Sequence, residues 1–243
     1  MEMMATCTLC STPGPGTYYR VGYYEERITI LHCRHGHKSV VLPQAPKFES
    51  LMESSARALQ DGYTLECVGA GAAGRERLYE FASRVMLRHL NQSEEAVDAL
   101  WRQAAKQSER QIGIFLTLQT VVFGMDYKIS PKTAEFRNSV IHKGHIPTPT
   151  EAETFVRSAY AEAVELVEKL RKNCEPALHK CMLRDIKERS KQAPPGMPVS
   201  TTGAFYYFTT AALQSMSFEA ALLSLRRGRA LLASLPLAEF CPG

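Results

Sequence analysis

Apolar residues recur every three or four positions along most of this 243-residue chain after Pro46. This spacing gathers them on one face of an α-helix, and such a face is stable only when it is buried against other elements. The pattern starts at Lys47 and continues in successive segments toward the C-terminus. The chain is therefore predicted to fold mainly as α-helices that pack around a shared core.

Turn and capping residues divide this region into separate helices. Asp61-Gly62 is predicted to end the first helix, and Ser93 to cap the third. The segment from Ile112 to Phe123 is apolar nearly all round, which favours a central bundle helix, with a dimer interface as the alternative. Pro131 starts a short helix that Gly144 ends. The predicted helical segments are 48–59, 64–90, one that begins at 93, 112–123, 132–141, 148–172 and 177–191.

Three cysteines near the N-terminus lie in a different kind of sequence. Cys7 and Cys10 form a Cys-x2-Cys pair, and Cys33 follows after a stretch rich in Tyr, Val, Ile and Thr. Such a composition favours β-strands. The predicted strands are 17–24, 27–31 and 38–42. Two metal-binding turns carried on a small sheet are the plan of a zinc ribbon, so residues 1–43 are predicted to form a small β zinc-ribbon-like module.

A zinc ion in this module needs a fourth ligand, because structural zinc sites are tetrahedral. His37 is favoured, since it completes the recurrent knuckle Cys-x2-Gly-His, in which the glycine lets the chain turn beneath the metal. His35 and His32 are alternatives. Four protein ligands leave no open position, so the expected Zn2+ is structural. The competing interpretation is a leader with reduced cysteines, surface histidines and no metal.

Pro43-Gln44-Ala45-Pro46 is predicted to be a stiff linker between residues 1–43 and residues 44–243. Hydrophobic residues make up 45% of the chain and charged residues 22%, as in ordinary globular proteins. No stretch resembles a signal peptide or reaches the length of a membrane span, so a cytoplasmic protein without a membrane partner is expected. The net charge of +4 permits contact with nucleic acid without requiring it.

Residues 136–147 read Phe-Arg-Asn-Ser-Val-Ile-His-Lys-Gly-His-Ile-Pro. In this stretch Arg137, the polar Asn138 and His142 lie toward the end of a predicted helix. The pattern of arginine, a polar residue, three others and histidine resembles the signature of the HEPN superfamily of all-helical domains. Many members are metal-independent endoribonucleases, and others are non-catalytic modules that bind RNA or a partner protein.

A second segment adds to this resemblance. Residues 76–81 read Glu-Arg-Leu-Tyr-Glu-Phe, similar to a segment in a bacterial HEPN subgroup whose zinc-binding leader precedes the helical bundle. The resemblance covers about residues 30–172. It implies a HEPN-like helical bundle, a homodimer that acts on RNA, and a toxin, abortive-infection or other phage-defence context with an antitoxin or defence-system partner. The glycines at 69, 71 and 74 depart from it and predict either a kink or unusually close helix packing.

The resemblance gives the motif residues chemical roles. His142 is expected to be the general acid or base, since imidazole changes charge near neutral pH. Arg137 is expected to stabilise the charged phosphorane, and Asn138 to position the phosphate, without a catalytic metal. Residues five positions apart point about 140° from each other on a straight helix. One chain is therefore expected to form a loose site, and the resemblance implies that two copies face each other across a dimer seam.

Three further residues are candidate supports for this site. Glu76 or Glu80 is a candidate to orient Arg137 or His142; the alternative is an exposed ion-pair face on their own helix. His145 is a candidate second contact with RNA.

The C-terminal region carries aromatic residues at 205–208 and arginines at 226, 227 and 229. Aromatic and basic residues together can bind single-stranded nucleic acid. The leucines at 222, 223, 225, 231 and 232 instead favour an ordinary packed helix with the arginines on its solvent-exposed face.

Overall fold

The computed structural model of the protein describes residues 1–10, 17–22, 24–25, 28–124, 127–203, 207–208, 210 and 216–238. Over these residues the fold is mainly α with a small β module at the N-terminus, which confirms the predicted fold class at that level. None of the helices in these ranges combines the length and apolarity needed to cross a bilayer.

The chain divides into two compact units. The first contains Met1–Ala45, Met182–Thr209 and Glu219–Gly243, and the second contains Pro46–Cys181 and Thr210–Phe218. The N-terminal segment of the first unit therefore ends inside the predicted linker. The same unit also takes in two C-terminal segments that the sequence assigns to the helical region after residue 43.

All five strands of the described residues belong to the first unit. They are β1 (Glu2–Thr6), β2 (Tyr18–Gly22), β3 (Thr29–His32), β4 (Lys38–Pro43) and β5 (Val199–Thr202). β1 and β2 form an antiparallel pair, β3 pairs antiparallel with β4, and β4 pairs in parallel with β5. The three predicted strands correspond to β2, β3 and β4, whereas β1 and β5 were not predicted. Met3 on β1, Val21 on β2 and Leu31 on β3 are buried in one hydrophobic cluster.

The C-terminal helix, here α7 (Phe218–Ser234), is partly the packed helix that its leucines predict. Leu225 and Leu232 are buried, whereas Leu223 and Leu231 are each 46% exposed. Arg226 lies on the exposed side, as does Arg227. Of the aromatic residues at 205–208, residues 205 and 206 lie outside the described residues, and residues 207 and 208 are buried.

The second unit is helical. Its helices are α1 (Lys47–Gln60), α2 (Thr64–His89), α3 (Glu94–Ala104), α4 (Ser108–Phe123), α5 (Pro131–Lys143) and the N-terminal part of α6 (Pro149–Ser190). The helices predicted at 148–172 and 177–191 are two helical stretches of α6, and they meet at a kink where the sequence predicts the break. Cys174 has non-helical angles (φ −132°, ψ 25°), two residues before Pro176. Proline inside a helix removes a backbone hydrogen bond and clashes with the preceding turn, which accounts for the kink.

Two glycines of α2 allow its close approach to neighbouring helices. A Cβ atom on Gly71 would lie 2.9 Å from Ser55 Oγ and 3.1 Å from the ring of Phe155. A Cβ atom on Gly74 would lie 3.2 Å from Met52 Cγ. Gly69, in contrast, faces open space. Close packing, rather than a kink, is thus the consequence of these glycines, because α2 is continuous from Thr64 to His89.

A buried polar network joins α2 to α6 in the second unit. Glu162 on α6 accepts hydrogen bonds from Arg75 Nε at 2.6 Å and from the Tyr79 hydroxyl at 2.5 Å. Tyr127 donates to the same carboxylate at 2.7 Å. Burial, and then the negative charge of Glu162, raises the pKa of Tyr79, so its hydroxyl remains a donor. The network satisfies its buried charges and fixes the turn of α2 that also carries Glu76.

The helix α4 is not the enclosed central helix that its sequence favours. Phe115 and Leu118 are buried, but Val121 is 61% exposed. A groove of about 620 Å³ runs along α4, bordered by α2 and α3. The described residues of the second unit therefore cover only part of an apolar helix.

Candidate functional site

The helix α5 carries the predicted catalytic motif and has well-defined ends. The Ser130 side chain accepts a hydrogen bond from the backbone N–H of Thr133 at 3.4 Å, and Pro131 occupies the first turn. Gly144 ends the helix in the left-handed conformation (φ 72°), which glycine adopts without strain. The predicted start at Pro131 and stop at Gly144 are both present.

Only one side of α5 is attached to the rest of the second unit. Val140 is buried, and the ring of Phe136 lies 5.8 Å from that of Phe155 on α6. His142 and Lys143, in the last turn, are exposed. The motif therefore lies where a helix meets a loop, and its side chains are open to a large ligand.

The guanidinium of Arg137 brings the predicted site residues together. Its Nη1 atom lies 3.3 Å from His142 Nε2 and donates to Asn138 Oδ1 at 3.1 Å. Its Nη2 atom donates to Glu76 Oε1 on α2 at 2.7 Å. The Arg137 side chain is 27% exposed and that of Glu76 is 31% exposed. One chain thus forms a contiguous cluster of a cation, an amide, an imidazole and a carboxylate.

The length of the arginine side chain explains why this cluster differs from the loose site expected within one chain. The backbone directions at Arg137 and His142 diverge on the helix. The guanidinium, however, extends several bonds beyond its Cβ atom and reaches the imidazole. A guanidinium can only donate, so a hydrogen bond in this contact requires the neutral tautomer of His142, which accepts at Nε2 and has its ring proton on Nδ1.

The two acidic candidates on α2 have different partners. Glu76 contacts Arg137, as an orienting residue would, and its orienting role stays a prediction. Glu80 pairs with Arg77 at 2.6 Å and with Arg84 at 3.0 Å, both on its own helix. Glu80 thus has the ion-pair contacts of the alternative interpretation.

His145 lies in the loop between α5 and α6. Its Nε2 atom is 3.5 Å from Glu151 Oε1, and its ring packs edge-on against Phe136 at 6.0 Å. Thr148 and Glu151 form the predicted capping box, with Thr148 N donating to Glu151 at 2.8 Å and Glu151 N donating to Thr148 Oγ1 at 3.2 Å. The hydrogen bonds that Thr148 donates to the Glu151 carboxylate, from its backbone N–H and from Oγ1, lower the pKa of Glu151. The contacts of His145 are thus with Phe136 on α5 and with Glu151 in the cap of α6, and its predicted contact with RNA stays a prediction.

A second candidate site lies in the first unit. Cys7, Cys10, Cys33 and His37 place their ligand atoms within 4.8 Å of one another. His37 Nδ1 lies 3.7 Å from Cys7 Sγ and 3.6 Å from Cys10 Sγ, and Cys10 Sγ lies 4.0 Å from Cys33 Sγ. Zinc bonds of about 2.3 Å to sulfur and 2.0 Å to nitrogen imply ligand separations of roughly 3.5–3.8 Å in a tetrahedron. The four predicted ligands are compatible with one metal ion.

The turn from Cys33 to His37 explains how the chain aims ligands at one point. Gly36 N donates to Cys33 O at 2.9 Å, and Cys33 N donates to His37 O at 3.0 Å. Gly36 has a φ of 79°, which a residue with a side chain would rarely adopt. Burial would raise the pKa of Cys33, yet this pKa is lowered because the backbone amides of His35 and His37 donate hydrogen bonds to the thiolate.

The pKa of Cys10 is shifted in the opposite direction to the pKa of Cys33. Burial and the neighbouring thiols of Cys7 and Cys33 raise the pKa of Cys10 to about 11. The Cys10 thiol therefore keeps its proton at neutral pH in the absence of a cation. A bound divalent cation removes this penalty, because metal ligands must be deprotonated and the cation stabilises the thiolate.

The structure also distinguishes the three histidines that are candidates for the fourth zinc ligand. His37 belongs to the four-residue group, whereas His35 contacts one of its members, with Nδ1 3.2 Å from Cys10 Sγ. His32 is the last residue of β3, paired with Lys38 of β4. Among the described histidines, His37 thus has the position of the fourth ligand.

Sequence reasoning missed the residues that hold α2 in place beside the motif. Arg75 on α2 and its partner Glu162 on α6 are 87 positions apart. No local spacing signals such pairs, because arginine and glutamate are common on many helix faces.

The chain matches no protein-family model, no curated protein and no solved structure.

Proposed function

We propose that the protein is a HEPN-type, metal-independent endoribonuclease whose site is built around Arg137, Asn138 and His142. The observation that carries this proposal is the position of the Arg137 guanidinium, which contacts both His142 and Asn138 while Glu76 holds it from α2. Phosphodiester transfer to a 2′-hydroxyl needs a group that takes the hydroxyl proton and a group that stabilises the charge on phosphorus. An imidazole and a cation at one exposed helix end can supply these, and a neighbouring amide can position the phosphate.

The chemical step follows from these groups. The 2′-oxygen of the RNA attacks the adjacent phosphorus, His142 takes the 2′-hydroxyl proton, and the bond from phosphorus to the 5′-oxygen breaks. The leaving 5′-oxygen takes up a proton from the imidazolium of His142 in the second copy of the proposed dimer. The products carry a 2′,3′-cyclic phosphate and a 5′-hydroxyl. Arg137 stabilises the charge on the phosphorane, and Asn138 donates its amide N–H to a non-bridging oxygen.

A phosphate has to compete for the donors of Arg137, which Glu76, Asn138 and His142 engage in the free protein. Transfer of the Nη1 donor from the imidazole to the phosphate frees the lone pair on His142 Nε2. This atom is then the proton acceptor. The hydrogen bond to Glu76 on α2 holds the Arg137 guanidinium in place, so the arginine is already oriented before RNA binds.

A homodimer is part of the proposal, because one imidazole does not supply both proton transfers at once. The partly covered helix α4 supports this. It has no charged residue from Gln111 to Phe123, so a two-fold arrangement brings no like charges together. Val121 on α4 is 61% exposed, and Ile141 on the motif helix is 43% exposed. Apolar side chains on both helices are therefore available for contact with a second copy.

The biological context is proposed from the resemblance alone. A cytoplasmic endoribonuclease has to be restrained, which fits a toxin or phage-defence role with an antitoxin or defence-system protein as partner. The net charge of +4 is compatible with RNA as the substrate.

The second half of the proposal concerns the metal centre. Cys7, Cys10, Cys33 and His37 are proposed to hold a structural Zn2+, and a donor set of three sulfurs and one nitrogen suits this ion. Four ligands leave no coordination position for RNA or water. The metal stabilises the fold of the surrounding β module and takes no part in cleavage.

A non-catalytic RNA- or protein-binding dimer is the second candidate function. One observation favours it: Arg137 is paired with Glu76, and His142 Nε2 accepts a hydrogen bond from Arg137. A site whose charges are already satisfied within the chain is also what a binding module would have.

Cleavage of total and tRNA-enriched RNA distinguishes the two functions. The wild type is compared with Arg137→Ala, His142→Ala and His89→Ala, the last being an exposed histidine of α2. Reactions contain EDTA, with a parallel zinc-replete sample because the chelator can remove the structural metal. Cleavage by the wild type and His89→Ala only, with 2′,3′-cyclic phosphate ends, supports the proposal. Binding of RNA without cleavage by any protein supports the binding module, and cleavage by all four refutes the assigned site.

A further inference from the structure

His35 stands beside the metal centre without belonging to the four-residue ligand group. Its Nδ1 atom lies 3.2 Å from Cys10 Sγ, a hydrogen-bond distance for nitrogen and sulfur. Its ring is T-shaped to the ring of His37, with centroids 6.3 Å apart. A side chain in this position can act on the metal through the thiolate of Cys10.

The neighbouring residue determines which way the hydrogen bond runs. Arg34 Nε lies 3.3 Å from His35 Nε2. Arginine has no acceptor atom, so Nε2 must be unprotonated and the ring proton of the neutral imidazole must lie on Nδ1. His35 therefore presents an N–H group, and not a lone pair, to Cys10 Sγ.

The direction of the hydrogen bond from His35 to Cys10 also distinguishes His35 from a metal ligand. A ligand nitrogen has to offer its lone pair to the cation, as His37 Nδ1 would from its position 3.7 Å from Cys7 Sγ and 3.6 Å from Cys10 Sγ. The backbone amides of His35 and His37 stabilise Cys33 in the same way that an N–H from the His35 ring would stabilise Cys10. Two of the three sulfur atoms then accept hydrogen bonds from the same turn.

We propose that His35 is a positioning residue of the metal centre, which donates a hydrogen bond from Nδ1 to the Cys10 thiolate in the tautomer selected by Arg34. This inference rests on the proposed metal centre. The hydrogen bond holds the thiolate in its binding orientation and withdraws electron density from sulfur. Groups of this kind around a metal change its affinity by about 10- to 100-fold when they are removed. It also makes the metal-bound sulfur less nucleophilic toward electrophiles and oxidants.

The test uses the full chain as wild type, His35→Ala, His35→Asn, Arg34→Ala and His37→Ala, the last lacking the proposed nitrogen ligand. His89→Ala is the control for loss of an exposed histidine. Zinc affinity is measured by competition with a chromophoric chelator. The same proteins loaded with Co2+ give the energy of the sulfur-to-cobalt charge-transfer band. The alkylation rates of Cys7, Cys10 and Cys33 in the zinc-loaded proteins are followed by peptide mass mapping.

In His35→Ala we expect zinc binding to weaken by about 10-fold or more, the charge-transfer band to move to longer wavelength, and Cys10 to be alkylated faster than the other two cysteines. His35→Asn should restore much of each property, because its side-chain amide offers an N–H near the position of Nδ1. Arg34→Ala should shift each property in the same direction as His35→Ala by a smaller amount. A general loosening of the fold would not be rescued by asparagine and would not single out Cys10.

Two results would overturn the role of His35. One is a His35→Ala protein with wild-type zinc affinity, cobalt spectrum and Cys10 reactivity. The other is loss of the nitrogen ligand from the cobalt spectrum in His35→Ala but not in His37→Ala, which would make His35 the ligand. Failure of the wild type to bind zinc or cobalt is a different outcome, because it removes the metal centre itself.

Discussion

The carboxylate of Glu76 accepts a hydrogen bond from the guanidinium of Arg137 at 2.7 Å, which joins α2 to the motif helix α5. The pair is partly exposed, so it contributes little to stability, on the order of 1 kcal/mol or less. Its effect is orientation, because the remaining donors of Arg137 then point at Asn138 and His142.

Glu76→Gln is predicted to slow RNA cleavage by about 10- to 100-fold, because a misplaced catalytic group costs rate even when it is present. The loss should appear in kcat more than in KM, and the thermal unfolding midpoint should change little. Glu80→Gln is the matched control, since Glu80 pairs with Arg77 and Arg84 on its own helix. Equal loss of cleavage in the two variants would contradict an orienting role for Glu76.

Gly71→Ala is predicted to destabilise the second unit by about 1–3 kcal/mol, because the added methyl group overfills the contact with Ser55 and Phe155. Gly69→Ala is the control, since its Cβ atom would meet no neighbour. Alanine is the better helix former, so Gly69→Ala should stabilise by up to about 1 kcal/mol. Chemical denaturation measures both free energies of unfolding, and a stabilised Gly71→Ala protein would refute the close helix approach.

Glu49 gives the stability of the second unit a specific pH dependence. Burial raises the pKa of Glu49 to about 8, with a smaller raising effect from Glu53, although Thr210 donates to the carboxylate. Between pH 4.5 and 8 the folded state therefore keeps a proton that the unfolded state has lost. The contribution of this group to the free energy of unfolding falls as the pH rises, by about 1.4 kcal/mol per pH unit.

Glu49→Gln is predicted to remove this slope, since an amide does not titrate. The difference in free energy of unfolding between Glu49→Gln and the wild type should change in favour of the variant as the pH is raised from 5 to 8, the upper end being the pKa of about 8. Denaturation curves at several pH values measure it. A difference that does not vary with pH would show that the carboxyl is not held in its protonated form.

Val121→Glu on α4 is predicted to convert the proposed dimer to monomers, because a charge on an apolar seam has no partner there. Val121 is 61% exposed, so the folded chain should tolerate the change and keep its helical circular dichroism. Tyr63→Glu is a matched control, since Tyr63 is 62% exposed at the start of α2. Sedimentation velocity gives the masses, and a wild type that is monomeric at micromolar concentration would remove α4 as a dimer seam.

The parts of the fold that could be predicted from the sequence are those with local signals. Ser93 accepts a hydrogen bond from Ala96 N as a helix cap, and Thr148 forms its capping box with Glu151. The Cys-x2-Gly-His spacing likewise predicted that His37 lies near the three cysteines. Such features depend on residues within a few positions of each other, so spacing alone indicates them.

The other parts depend on partners far along the chain. β5 pairs with β4 although Val199 and Val40 are separated by most of the protein, and the short strand has no turn signal of its own. An apolar helix such as α4 has the same sequence whether its own chain or another chain covers it. The position of Glu76 opposite Arg137 depends on how α5 packs against α2, which no spacing in either helix encodes.

Attack by a 2′-hydroxyl at a site made by Arg137 and His142 is the central step of the proposed function. The most direct measurement uses an RNA whose cleavage position has been mapped, made with and without a single 2′-deoxynucleotide on the 5′ side of the scissile bond. The wild type in EDTA should cleave the all-RNA strand and leave the deoxy-substituted position intact, and His142→Ala should cleave neither. Cleavage at the substituted position, or unchanged cleavage by His142→Ala, would contradict the account.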